Sequence, residues 1–275
     1  MSTTIGAGDL DALQQRVTGS VAEPGSAGYN EAVAIWNGAI DRHPAVVVRC
    51  ASSADVASTL SFARDRGLEM SVRGGGHGFS GFAVTDGGVM IDLTPLKSVR
   101  VDPEAKMAVA GGGVTWAELD AAGQRHGLAV PGGLVSHTGI AGLTLGGGIG
   151  WLSGLAGLSC DNLAAAELVT ADGQVLRASE DQHPDLFWAL RGGGGNFGVV
   201  TSFEYRIHDV GPLVNRARAP RGLTRRRQRT WSRLPIERPH GPLPLENQNP
   251  ASTGRQGSDV LTLVRSSHLA VTCGD

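Results

Sequence analysis

Glycine is bunched in this sequence. Three clusters stand out: Arg73-Gly74-Gly75-Gly76-His77-Gly78-Phe79-Ser80-Gly81, then Gly132-Gly133 continuing to Gly139-Ile140-Ala141-Gly142-Leu143-Thr144-Leu145-Gly146-Gly147-Gly148-Ile149-Gly150, and finally Gly192-Gly193-Gly194-Gly195-Asn196-Phe197-Gly198. Consecutive glycines let a backbone turn tightly and bring its N–H groups against a ligand, and several such groups together suit phosphates. The alternative is that they serve only tight turns and close packing. Three clusters within so short a stretch favour a ligand. The chain holds 41 glycines in 275 residues, roughly twice the usual ~7%. There is no G-X-Y period, which excludes collagen.

Both Gly76-His77-Gly78-Phe79-Ser80-Gly81 and Gly193-Gly194-Gly195-Asn196-Phe197-Gly198 fit the G-x-G-x-x-G pattern. A dinucleotide fingerprint of that kind must open a helix directly after its glycines. Here the first runs on through Phe82–Gly88 towards a strand, and the second enters Val199-Val200-Thr201, itself a strand pattern. Both fail. A P-loop fails too, because no Gly-Lys-Ser/Thr occurs.

The rest of the pattern reads as α+β. Helices are expected at Glu31–Ile40, after the Ser52/Asp55 capping box, after the Thr115/Glu118 capping box, and at Pro184–Leu190. Strands are expected at 45–49, 68–72, 89–93, 99–101, 107–110, 167–170, 174–177 and 199–207. Asp172-Gly173 is a hairpin signal. Frequent short antiparallel turns argue against a doubly wound parallel sheet.

His77 lies between two glycines, with no bulky neighbour to shield it. Imidazole is a competent nucleophile near neutral pH, so a covalent link to an electrophilic cofactor is chemically open to it. A structural hydrogen-bonding role is the plainer alternative. His137 is the second candidate and could equally line the substrate side. Cys50, Cys160 and Cys273 are too scattered for a disulfide framework or zinc site. The first ten residues carry no secretory pattern, so a reducing cytoplasm is expected. No apolar run is long enough to span a membrane.

Residues 31–212 resemble the FAD-binding domain of flavin-dependent oxidoreductases with the vanillyl-alcohol-oxidase or PCMH-type fold, within the berberine-bridge-enzyme-like and 6-hydroxynicotine-oxidase-like branch. The resemblance rests on Trp36-Asn37, Val72–Gly78, Gly139–Gly150, Cys160-Asp161-Asn162-Leu163, Asp185–Gly198 and Val199–Glu204, in the family's order. It implies an α+β FAD-binding domain of two small α/β subdomains over 41–212, with a helical lead-in over 1–40. It implies FAD as cofactor, with Val72, Arg73, Gly74, Gly75, Gly76, His77, Gly78, Ser80 and Gly81 around the pyrophosphate and His77 joined to the 8α-methyl of the flavin. Some relatives add a second link through cysteine; Val135 occupies that place here, so a single link is implied. Ser136, Thr138, Gly139, Gly142, Leu143, Gly148 and Gly150 would follow the flavin and ribityl chain. Asn162 would meet the cofactor, and Val199 and Val200 would flank the adenine by backbone contacts. The implied reaction moves a hydride from an alcohol or amine to flavin N5, with reoxidation by oxygen. A reductase on the same fold is the alternative.

The family pattern stops after Gly211-Pro212. Residues 1–212 carry 13 Lys and Arg against 22 Asp and Glu, whereas 213–275 carry 11 Arg against 4 acids. The switch coincides with the loss of pattern. It suggests an unstructured Arg/Pro-rich tail, read from a shifted frame, in place of the family's substrate domain, and weak or absent activity. Neither Tyr29 nor Tyr205 matches the family's catalytic position, so no catalytic base is assigned. Nucleic-acid binding through Arg225–Arg229 is not expected, since the tail holds one aromatic residue and no RNA-module motif. The expected partner is a small-molecule substrate.

Overall fold

Two five-stranded sheets organise the chain. The computed structural model describes residues 5–211 and the strand Thr272–Gly274, all within one compact unit. The first sheet has the order β1-β2-β4-β3-β12, from β1 (Ser20–Ala22), β2 (Val46–Arg49), β3 (Met70–Arg73), β4 (Val89–Asp92) and β12 (Thr272–Gly274). β2 and β3 both pair parallel with β4, and β12 pairs parallel with β3, whereas β1 pairs antiparallel with β2. The second sheet is wholly antiparallel, in the order β5-β6-β10-β8-β9: β5 (Val99–Asp102), β6 (Met107–Gly111), β8 (Leu163–Val169), β9 (Val175–Ser179) and β10 (Val199–Arg206). A third ribbon pairs β7 (Leu128–Ala129) with β11 (His208–Asp209). No helix among the described residues is long and apolar enough to cross a membrane.

The strands of the first sheet read as unbroken apolar runs because both faces are covered. On one face α1 (Ala7–Arg16) and α3 (Ser53–Asp65) bury Leu10, Leu13, Val56, Leu60 and Phe62 against Val46, Val48, Val72 and Ile91. On the other, α2 (Ala27–Val33) contributes Tyr29 and Ala32 against Val47 and Met90. The second sheet packs α4 (Trp116–Gln124), α5 (Ile140–Leu145) and α7 (Pro184–Leu190) through Trp116, Leu119, Ile140, Phe187 and Leu190. Val169 and Val199, at the ends of β8 and β10, belong to the core of the first sheet. That shared core joins the two halves.

Local chemistry sets the element ends. Ser52 caps α3 by accepting from the Asp55 N–H at 3.2 Å. The helix closes on Gly67 (φ +60°), with Gly67 N–H on the Arg64 carbonyl and Leu68 N–H on that of Ala63, a paired C-terminal cap. Asp55 does not close the capping box; its carboxylate instead takes the N–H groups of Thr18, Gly19 and Ala51.

The expected helix at Glu31–Ile40 is displaced. α2 begins earlier, because the Ser26 hydroxyl accepts from Tyr29 N–H, and it ends at Val33. Beyond it, Trp36 N–H bonds the Gly76 carbonyl at 2.9 Å and the Asn37 side chain receives Ala39 N–H, so the chain follows a loop rather than its own helix. The lead-in over 1–40 is not purely helical, since it supplies β1 to the first sheet. The expectation of an unstructured tail falls outside the described residues, apart from β12.

Candidate functional site: a glycine-lined seam around His77

β3 delivers the first glycine cluster to the seam where it meets the second. A Cβ on Gly75 would overlap the backbone of Gly139, and one on Gly139 would overlap Gly75. No residue larger than glycine fits at either place without moving a backbone. The second cluster is held from the other side by α4. Trp116 N–H donates to the Thr138 carbonyl at 3.0 Å and Ala117 N–H to that of Ser136 at 2.8 Å. These are two of the free N–H groups of a helix start, and here they fix a loop. The Glu118 carboxylate takes Thr115 N–H at 2.7 Å and the Lys97 ammonium at 2.8 Å. Burial alone would raise its carboxyl; those partners outweigh it and hold it below the ordinary value. The buried Trp116 ring lies under Gly132, where a Cβ would collide with it.

His77 stands at this seam. Its ring stacks on Trp36, with centroids 5.2 Å apart at 21°, and lies against His137 at 4.5 Å and 51°. Its Nε2 is buried and has no hydrogen-bond partner among the described residues. Burial, and then the neighbouring His137, lower its pKa from the ordinary imidazole value. Trp36 and Phe79 near it, and Leu134 and Val135 near His137 in sequence, are exposed apolar groups. A polar atom without a partner, in an apolar surround floored by glycine backbone, suits a flat aromatic cofactor that supplies the missing neighbour.

The other expected site residues divide. Gly76 (φ +67°) and Gly81 (φ +72°) turn the first loop, Gly78 accepts from Gly81 N–H, and Ser80 is exposed. Ser136, Thr138 and Gly139 border His77 through His137. Gly142 and Leu143 lie in α5, the former buried and the latter packed on the core. Gly148 and Gly150 fold the end of the second cluster back onto Ser159 and Gly132.

Five of the expected residues have side chains engaged within the fold. Val72 is core. Arg73 turns away to the carbonyls of Glu31 and Ala34 at the end of α2, at 3.1 and 3.4 Å. Val199 and Val200 have buried side chains within β10. Asn162 is fully used as well: its NH2 donates to the carbonyls of Ala156 and Leu158, so its oxygen must accept the proton of His208 Nε2 at 2.6 Å. The third cluster also serves the fold. Gly192 and Gly194 N–H both reach the Leu145 carbonyl at 3.0 Å, and Gly193 N–H reaches Ala189. Gly192 and Gly194 thus cap the C-terminal end of α5. Trp36 was legible only as part of a motif; nothing in its spacing pointed to a ring partner for His77.

The profile of the FAD binding domain matches residues 44–179. The chain is 41% identical to (R)-6-hydroxynicotine oxidase of Paenarthrobacter nicotinovorans over 194 residues, covering 70% of this chain and 42% of that one. The crystal structure of 6-hydroxy-D-nicotine oxidase from Arthrobacter nicotinovorans superposes with a TM-score of 0.69 over 70% of this chain and 43% of that one, at 41% identity. Glucooligosaccharide oxidase from Acremonium strictum, described with a 6-S-cysteinyl, 8α-N1-histidyl FAD, gives a TM-score of 0.68 at 31% identity over 73% of this chain and 43% of that one. Two α/β halves joined at a glycine seam are thus the FAD-binding fold of the PCMH, or vanillyl-alcohol-oxidase, type. This chain belongs to the FAD-linked oxidoreductases built on it. It spans about two fifths of the length of these relatives, at 42% and 43%.

Proposed function

We propose that this chain binds FAD at the seam between its first two glycine clusters, holds it covalently through His77, and serves as the flavin-binding part of an oxidase acting on a small alcohol or amine. The supporting observation is the His77 imidazole: carried on a glycine loop, flanked by Trp36 and His137, with a buried nitrogen that no described residue satisfies. A bound flavin supplies two-electron oxidation of substrate and returns to its oxidised state with oxygen. The protein's share is placement. Gly75 and Gly139 keep the two loops at backbone contact, the start of α4 fixes the second loop, and burial keeps His77 neutral and so able to form a bond through its lone pair. Tyr205 is no candidate for a proton acceptor, because its hydroxyl is buried against Thr144 at 2.7 Å.

Purified protein supplied with FAD should turn yellow, with absorption near ~450 nm, and its acid-precipitated pellet should stay fluorescent. The His77→Ala variant should still take up FAD but release all of it into acid. A wild-type protein that stays colourless with excess FAD would sink the cofactor reading. Acid-stable flavin in His77→Ala would place the link elsewhere.

A further inference from the structure

A covalent bond from imidazole needs the in-plane lone pair aimed at the carbon it will join. His77 has nothing in its own backbone neighbourhood to aim it. Gly76 and Gly78 present no Cβ, and the last torsion of a histidine side chain is broad. The orientation of the ring therefore has to come from other segments, and two supply it. Trp36 is tied to the first loop on both sides of His77, by its own N–H on the Gly76 carbonyl at 2.9 Å and by the Asn37 side chain on the Phe79 carbonyl at 2.8 Å. His137 sits between Ser136 and Thr138, whose carbonyls are gripped by the first N–H groups of α4. Its own ring is exposed and makes no hydrogen bond among the described residues. Its described ring contact is with His77. The backbone that carries that ring is thus held by bonds that do not involve the ring itself.

We propose that His137 is a positioning residue for the flavin link: its ring, together with Trp36, sets the plane of the His77 imidazole so that the nitrogen is presented for bond formation. The inference rests on the His77 linkage proposed above. In the step it serves, an imidazole nitrogen joins the 8α carbon. One 8α C–H bond breaks and the imidazole N–H is given up, each releasing a proton. The electron pair of the broken C–H bond reduces the isoalloxazine, and oxygen reoxidises it. Holding two reacting atoms in line is worth large factors, and a misplacement of about 1 Å costs about a hundredfold.

The test reads the rate at which apoprotein mixed with FAD acquires acid-stable flavin, followed by pellet fluorescence and by the added flavin mass on the peptide containing His77. His137→Ala should bind FAD with unchanged affinity, measured by fluorescence quenching before linkage, yet link it about tenfold to a hundredfold more slowly. His137→Phe keeps a ring without a titrating nitrogen and should restore the rate to near wild type. Linkage in His137→Ala at the wild-type rate overturns the inference while leaving the link to His77 intact. Phe as slow as Ala overturns it as well, since the ring would then not be what acts. A wild-type chain that takes up FAD but never links it overturns the linkage and this inference together.

Discussion

At the scale of single residues, burial decides what His77 can do at a given pH. Removal from water penalises the charged form, and the neighbouring His137 adds to that penalty, so the folded-state pKa lies below the ordinary value. An ordinary imidazole is half protonated near pH ~6.5; His77 reaches that point at a lower pH. The rate of flavin linkage should therefore fall with a midpoint below that value, which a pH series of the acid-stable fluorescence assay would reveal. A fall already centred on pH ~6.5 would deny the shift. The sign for stability is the same. The unfolded chain takes up the proton first, so the folded state loses stability as pH falls between the ordinary and the lowered value. His77 stood out in the sequence because the glycines on either side leave it unshielded. Its partners did not. Trp36 reaches it only because α2 stops at Val33 and the stretch beyond, expected as helix, runs as a loop bonded to Gly76.

At the scale of elements, ends matter more than middles. Asp55 shows this best. Burial alone would raise its carboxyl, but backbone N–H groups from Thr18, Ala51 and Gly19, with the Thr18 hydroxyl, outweigh that and lower it. It ties the start of α3 to the turn between α1 and β1. Replacement by Asn leaves donor facing donor at one or more of these bonds and should cost about 2–3 kcal/mol, read as a lowered denaturant midpoint. The native carboxylate contributes stability above its unfolded pKa. That contribution is lost as pH falls through the folded value, so the gap between wild type and Asp55→Asn should close in acid. An unchanged gap there would contradict the assignment. From sequence, the Ser52 and Thr115 caps, the Gly67 stop and the Asp172-Gly173 hairpin were all legible, because each depends on neighbours within a few residues. The tertiary use of Asp55 was not, since its partners lie some 36 and 37 positions away. The third glycine cluster misled for the same reason. Two of its N–H groups, those of Gly192 and Gly194, end on the distant Leu145 carbonyl, a destination no local pattern encodes.

At the scale of the whole unit, glycine does two jobs that composition cannot separate. Some glycines merely occupy helices: Gly8 sits in α1 with nothing within 4 Å of an added Cβ. Others hold the two halves together, and Gly139 is the sharpest case, because its Cβ would fall on the backbone of Gly75 rather than on a side chain that could swing aside. The two substitutions to alanine should therefore part in sign. Gly8→Ala removes backbone freedom from the unfolded chain and should stabilise by about 0.5–1 kcal/mol. Gly139→Ala must push the two loops apart. It should destabilise by about 1–3 kcal/mol and also lose FAD uptake, because the seam that aligns His77 and His137 opens with it. Thermal melts of both variants, each with and without FAD, separate these effects. Added FAD should raise the melting temperature of Gly8→Ala as it does that of wild type, by mass action on the folded state, and should leave Gly139→Ala unmoved. If Gly139→Ala kept the full FAD-induced shift, the seam would not be where the cofactor binds, however well the fold around it matches.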